Sequence, residues 1–173
     1  GQNIALIFDW CHGTFTPAER AALISAWNVH FTTQMNYDWA AVGGVGPSRS
    51  GPMGNYYWGV MQSLTLWAIA TYHENSAAAE TFLQNVLVTR LANDWGPVAA
   101  TAGEGGVGTD SSHYGQLIRH YATVPFEAAR VLGRDLFAEA PYWREAVYFV
   151  IYSTPPAQST NNGVASWDYF PFG

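Results

Sequence analysis

The chain has no lysine and only one cysteine, Cys11, so it cannot close a disulfide within itself, and any stability must come from packing. Charged residues make up 12% of the sequence, about half the share usual in soluble domains. The seven basic residues, all arginine, face thirteen acidic ones, which gives a formal net charge of -6 and no basic stripe for a phosphate backbone. Nucleic acid is excluded as a partner on that ground. An anionic polymer would have to meet a locally placed arginine or neutral donors, because the overall field repels it. No apolar run reaches the roughly 18 residues a bilayer span requires, so no membrane partner is expected. The opening GQNIALIFDWCHG lacks the charged start and cleavage site of a signal peptide. Strand-type alternation of useful length is missing, as are the GxxxxGK[ST] and GxGxxG patterns of nucleotide sites.

What the chain does have is apolar and aromatic. Its 173 residues suffice for one domain with its own core, and 49% hydrophobic content excludes disorder. Aromatics reach 16%, with eight Trp and ten Tyr, which suits walls on which sugar rings stack and equally suits surfaces covered by a partner.

Local signals predict an all-α chain. Ile4 to Trp10 reads as the last turns of a helix cut short at the start of the chain. Thr16-Pro17-Ala18-Glu19 is a capping box with proline at the first helical position, and Leu23, Ala26, Trp27, His30 and Phe31 carry the helical stripe to about Asn36. Residues 43 to 54 form a Gly/Pro/Ser loop. Asn55 to about Tyr72 is apolar on all sides and belongs in the interior. A helix from about Ala77 to Leu91 sets Phe82, Val86 and Arg90 on one side and stops at Gly96-Pro97. A second glycine loop, Ala102 to Asp110, precedes a helix that runs to about Leu132, kinked at Pro125 and closed by Gly133. The last helix spans about Pro141 to Tyr152, and the tail beyond it reads as turns. Helical hairpins in series with a buried inner ring favour part of an α/α toroid, as a single domain over residues 1–173, with the glycine loops at one rim.

Two constellations carry chemistry. Gly54-Asn55-Tyr56-Tyr57-Trp58 opens a helix beside a loop; Asn55 serves as an N-cap or as a neutral donor to a substrate carboxylate, with Tyr56, Tyr57 and Trp58 as stacking surfaces. Asp110 to Tyr121 packs His113, Tyr114, Arg119, His120 and Tyr121 directly behind the glycine loop. Tyr114 and Tyr121 are seven apart, hence about 10 Å apart on one helical face, and the two histidines likewise; that is too far for a shared metal, and neither metal nor cofactor is expected. The same tyrosines also suit core rings with hydroxyls at the rim. Such a set fits β-elimination on a uronic acid, in which a base removes the proton beside the carboxylate, an acid protonates the leaving oxygen and a donor holds the developing charge. A carboxylate pair drawn from Asp9, Glu74, Glu104, Asp110 and Asp168 would instead fit glycoside hydrolysis, and a non-catalytic module binding sugar or protein through its aromatic surface is the third reading. His12, His30 and His73 read as surface or satisfied core histidines, and Cys11 as inert.

The stretches NYYWG (Asn55 to Gly59), WAIATYHEN (Trp67 to Asn75), TDSSHYGQLIRHY (Thr109 to Tyr121), FEAARVLGRDLF (Phe126 to Phe137) and REAVYFVIYSTPPA (Arg144 to Ala157), with the segment around Asp9-Trp10, resemble the heparinase II/III-like proteins and their alginate and chondroitin lyase relatives. The resemblance implies an α/α toroid, eliminative cleavage of an acidic polysaccharide, and a secreted or periplasmic location. By it, Asn55 takes the place of the carboxylate-neutralising Asn, Tyr114 or Tyr121 that of the Tyr acid/base, and His113 or His120 that of the His base. The sequence departs in carrying Tyr56 where alginate lyase relatives tend to have His, and in lacking the β-sandwich domain of the much longer full-length members. A fragment, a subunit that completes its ring by self-association, a chain missing a companion domain and a reduced relative with another job all fit that length.

Overall fold

The computed structural model describes residues 1–36, 51–108, 111–154, 158–161 and 164–166, and of residues 111–116, 159, 161 and 164–166 the backbone alone. The fold is all-α. Helix α1 (Gln2–Trp10) passes through a 3-10 turn at His12–Thr14 into α2 (Pro17–Asn36), and α3 (Asn55–Thr71) and α4 (Ser76–Gln84) follow. A π-helical stretch (Asn85–Trp95) and the single turn α5 (Gly96–Ala99) extend α4, before α6 (Ser111–Val131) and α7 (Pro141–Ser153). The tail departs from the expectation of turns alone: β1 (Ser159–Asn161) pairs antiparallel with β2 (Val164–Ser166), Thr160 opposite Ala165. The chain groups into two compact units, one of Gly1–Pro52 with Tyr56–Trp95, the other of Met53–Asn55 with Gly96–Gly173.

In the first unit, α2 begins where the capping box predicts. The Thr16 backbone N–H donates to the Glu19 carboxylate at 2.8 Å and the Glu19 N–H donates back to the Thr16 hydroxyl at 3.3 Å. Helix α3 is covered on most sides, with Trp58, Leu64, Trp67 and Ala68 fully buried. Trp67 packs edge-on against Phe8 at 5.5 Å and tilted on Phe31 at 5.4 Å, and each such side chain contributes about 1.5–3 kcal/mol by leaving water.

Phe82, Val86 and Arg90 are all buried, as the helical stripe predicts, but the helix does not stop at Leu91. It widens to π geometry as far as Trp95 and is followed directly by the single turn α5 at Gly96-Pro97. Asn85 and Arg90, five residues apart, stand one π turn from each other, and the Arg90 Nε donates to the Asn85 side-chain oxygen at 2.9 Å. The same guanidinium donates to the Met35 carbonyl at 3.1 Å and lies 4.9 Å over the Tyr57 ring.

In the second unit, Phe126 packs against Phe137 and Trp143, each at 5.0 Å, with Ile118 and Ala122 buried in the same α6 face. Helix α6 continues past Pro125, whose missing N–H leaves the Tyr121 carbonyl without its i+4 donor. Gly133 ends α6 at φ +92°, with the Arg134 N–H reaching back to the Ala129 carbonyl at 2.9 Å, the wrap that glycine permits. The second glycine loop is pressed onto α7: a Cβ at Gly106 (φ +75°) would stand 2.1 Å from the Ala146 nitrogen, so both the left-handed backbone and the close approach require glycine. The Glu145 carboxylate accepts the Gly105 N–H at 2.9 Å and locks the loop in place.

Candidate functional site

Asn55 opens α3, half-buried, and groups with the second unit while the rest of α3 belongs to the first. Of the three rings that follow, only Tyr56 is exposed. Tyr57 and Trp58 lie in the core of the first unit, a correction to their reading as stacking surfaces. The Tyr57 hydroxyl donates to the Arg90 carbonyl at 2.7 Å, and the Trp58 Nε1–H donates to the Pro52 carbonyl at 3.0 Å, edge-on to Trp95 at 5.4 Å. With both faces packed and both polar atoms bonded inside, neither ring has a face left for a sugar.

The second constellation lies on α6. His113 and Tyr114 sit in its first turn, and their side chains lie outside the described residues. His120 is exposed and Tyr121 half-buried, their rings 5.6 Å apart at 60°. Arg119 is half-buried and held from two sides: one terminal N–H donates to the Gly106 carbonyl at 3.1 Å, and the guanidinium carbon stands 5.6 Å from the centre of the Phe149 ring. Its Nε is buried with no hydrogen-bond acceptor among the described residues. It lines a cavity of about 310 Å³ whose other walls come from Thr123, the Phe137 and Trp143 rings, and the aliphatic face of α7.

No protein family, curated protein or solved structure matches the chain. The chemistry therefore rests on the residues themselves.

The carboxylates fall into separate places. Asp9 is exposed at the end of α1, and Asp110 and Asp168 lie outside the described residues. Glu74 accepts from Arg20 Nε at 3.0 Å and from His12 Nε2, and these hydrogen bonds, His12 first, hold its carboxyl below the usual value. Glu104 lines a second cavity, of about 390 Å³, together with Glu139 and Glu145, two residues that sequence reasoning passed over. Glu139 is occupied by Arg134 at 2.7 and 2.9 Å, chiefly through that hydrogen bonding its carboxyl is pulled down, and Glu145 is occupied by the glycine loop. A hydrolase acid needs the opposite, a carboxyl pushed up so that it carries a proton at neutral pH. Among the described residues no group of three or more His, Cys, Asp or Glu is placed to hold a metal.

The WAIATYHEN stretch, part of the family resemblance, turns out to hold the first unit together. The Trp67 Nε1–H donates to the Asn28 side-chain oxygen at 3.0 Å, and Asn28 and Asn75 exchange amide hydrogen bonds at 2.8 and 3.0 Å. The polar character of HEN gave the signal, but its partners on α2, far away in sequence, did not show in the spacing.

Proposed function

We propose that the chain is part of an α/α toroid of the polysaccharide-lyase type and cleaves uronic-acid polysaccharides by β-elimination. The observation that supports this best is the membership of one compact unit: Asn55 groups with Arg119, His120 and Tyr121, although most of α3, all of α4 and the π-helical stretch intervene in sequence. The motif resemblance points to the same residues.

In this reading the Asn55 amide donates to the substrate carboxylate and draws charge out of the adjacent C–H bond. A base, His120 or Tyr121, takes that proton; the electron pair becomes the new C=C bond as the glycosidic C–O bond breaks, and a tyrosine hydroxyl hands its proton to the leaving oxygen. His113 and Tyr114, on the first turn of α6, stand as the alternative base and acid. Of Tyr56, Tyr57 and Trp58, only Tyr56 is exposed. A secreted or periplasmic site of action follows from the substrate class, and self-association or a companion domain would complete the ring.

The test is incubation with alginate, heparin, hyaluronan and chondroitin while following the ultraviolet absorbance of the unsaturated product. A rise with at least one polymer is expected, with Tyr121→Phe lowering the rate about 10²- to 10⁴-fold and Asn55→Ala about 10²- to 10³-fold. A folded sample that yields no absorbance on any of the four overturns the reading. New reducing ends without absorbance would transfer it to a carboxylate-pair hydrolase.

A further inference from the structure

The cavity beside Arg119 does not suit a sugar. Its walls are the rings of Phe137 and Trp143 and the aliphatic side chains of Val147, Val150 and Ile151, with Thr123 bringing the one hydroxyl. A uronic acid ring would lose water from several hydroxyls there and find almost nothing to replace it, at a cost of about 1–3 kcal/mol for each unpaired group.

We infer that this cavity binds a small amphipathic carboxylate, a medium-chain fatty acid or an acid of similar shape, with its tail against α7 and its headgroup on Arg119. The inference goes beyond the lyase reading and does not depend on it. Five observations carry it. The volume, about 310 Å³, lies at the small-ligand end of the range for binding cavities. Arg119 is the one charged residue in the lining, so the site favours an anion, whereas the chain as a whole, at -6, would not collect one by its general field. Its Nε–H is buried and lacks an acceptor among the described residues, so no side-chain carboxylate already neutralises that edge of the guanidinium. The guanidinium is already oriented, by the Gly106 carbonyl on one side and the Phe149 ring on the other, so little side-chain freedom remains to be lost on binding. Val147 and Ile151, each 58% exposed, leave the apolar mouth open to solvent, where water gains from being displaced by a hydrocarbon chain.

Titration calorimetry of the whole chain with decanoate, octyl glucoside and acetate tests this. Saturable one-to-one binding of decanoate is expected, at least about tenfold tighter than octyl glucoside, with none detectable for acetate, since the site needs both tail and charge. Arg119→Gln should weaken decanoate about tenfold or more while leaving octyl glucoside little changed. Val147→Trp, at an exposed position that folding tolerates, should block the mouth and remove binding of both amphiphiles, with the far-ultraviolet circular dichroism of the wild type retained. Absence of saturable decanoate binding by the folded protein overturns the proposal. So does equal affinity for octyl glucoside, or an unchanged affinity in Arg119→Gln, either of which marks a nonspecific apolar patch. A stable dimer in sedimentation that Val147→Trp breaks also overturns it, assigning the face to a second copy. No polymer turnover enters these readouts, so their failure leaves the lyase reading untouched.

Discussion

Gly106 shows most directly how one residue holds the second unit. It combines a left-handed backbone with van der Waals contact against the backbone of α7, so Gly106→Ala forces both strain and a clash with atoms that cannot rotate away. We expect that substitution to destabilise by about 2 kcal/mol or more, read as a lower urea midpoint. Gly105→Ala, with open space around its Cβ, should cost only its backbone strain of about 1–2 kcal/mol. Tyr57 makes the complementary case. Its hydroxyl caps the Arg90 carbonyl inside the core, so Tyr57→Phe should lower stability by about 0.5–1.5 kcal/mol in chemical denaturation and leave any carbohydrate affinity unchanged, the reverse of what a stacking residue would do. The sequence could not separate Tyr56 from Tyr57 and Trp58: in a helix apolar all round, the period reports burial of the helix and not which neighbour stays open.

At the scale of elements, the readable features were those whose partners are three or four residues away. The Thr16–Glu19 box started α2 where it was expected, and Gly133 closed α6. Thr16→Ala should accordingly remove about 1 kcal/mol, seen as a lower urea midpoint with an unchanged slope. Features with distant partners stayed hidden. The Glu145 to Gly105 bond joins positions 40 residues apart, and nothing in either segment announces the other. The glycine loop itself was legible as a loop and was expected at a rim, whereas its Gly106 is spent on close approach to α7. The π-helical stretch was illegible for a different reason. A 3.6-residue pattern continues through Phe82, Val86 and Arg90, and the widening depends on where the Arg90 guanidinium and the Tyr57 hydroxyl find partners.

At the scale of the whole molecule, acidic side chains paired on the surface set the response to pH. Glu19, Glu74 and Glu139 all have carboxyls held below their usual value of 4.5, by hydrogen bonds from Thr16, from His12 and Arg20, and from Arg134 respectively. A carboxyl whose folded value lies below its unfolded value stabilises the fold at pH above the unfolded value, and that contribution is lost as pH falls through the folded one. The melting temperature should therefore fall as pH is lowered below about 4.5, and Glu74→Gln should flatten part of that fall while lowering the plateau near neutrality. Wild-type and variant melting curves that run parallel across this range would show that the Glu74 pairing contributes nothing to stability.

The same scale holds the central claim, that Asn55 and the α6 residues His120 and Tyr121 act together on one uronic acid. Mass spectrometry of the oligosaccharides released from a uronic-acid polymer tests it most directly, because elimination leaves the new non-reducing end lighter by one water than hydrolysis does. The account predicts products of the lighter mass that disappear in Tyr121→Phe and Asn55→Ala. Products of the hydrolytic mass, or light products that persist unchanged in both variants, would contradict it.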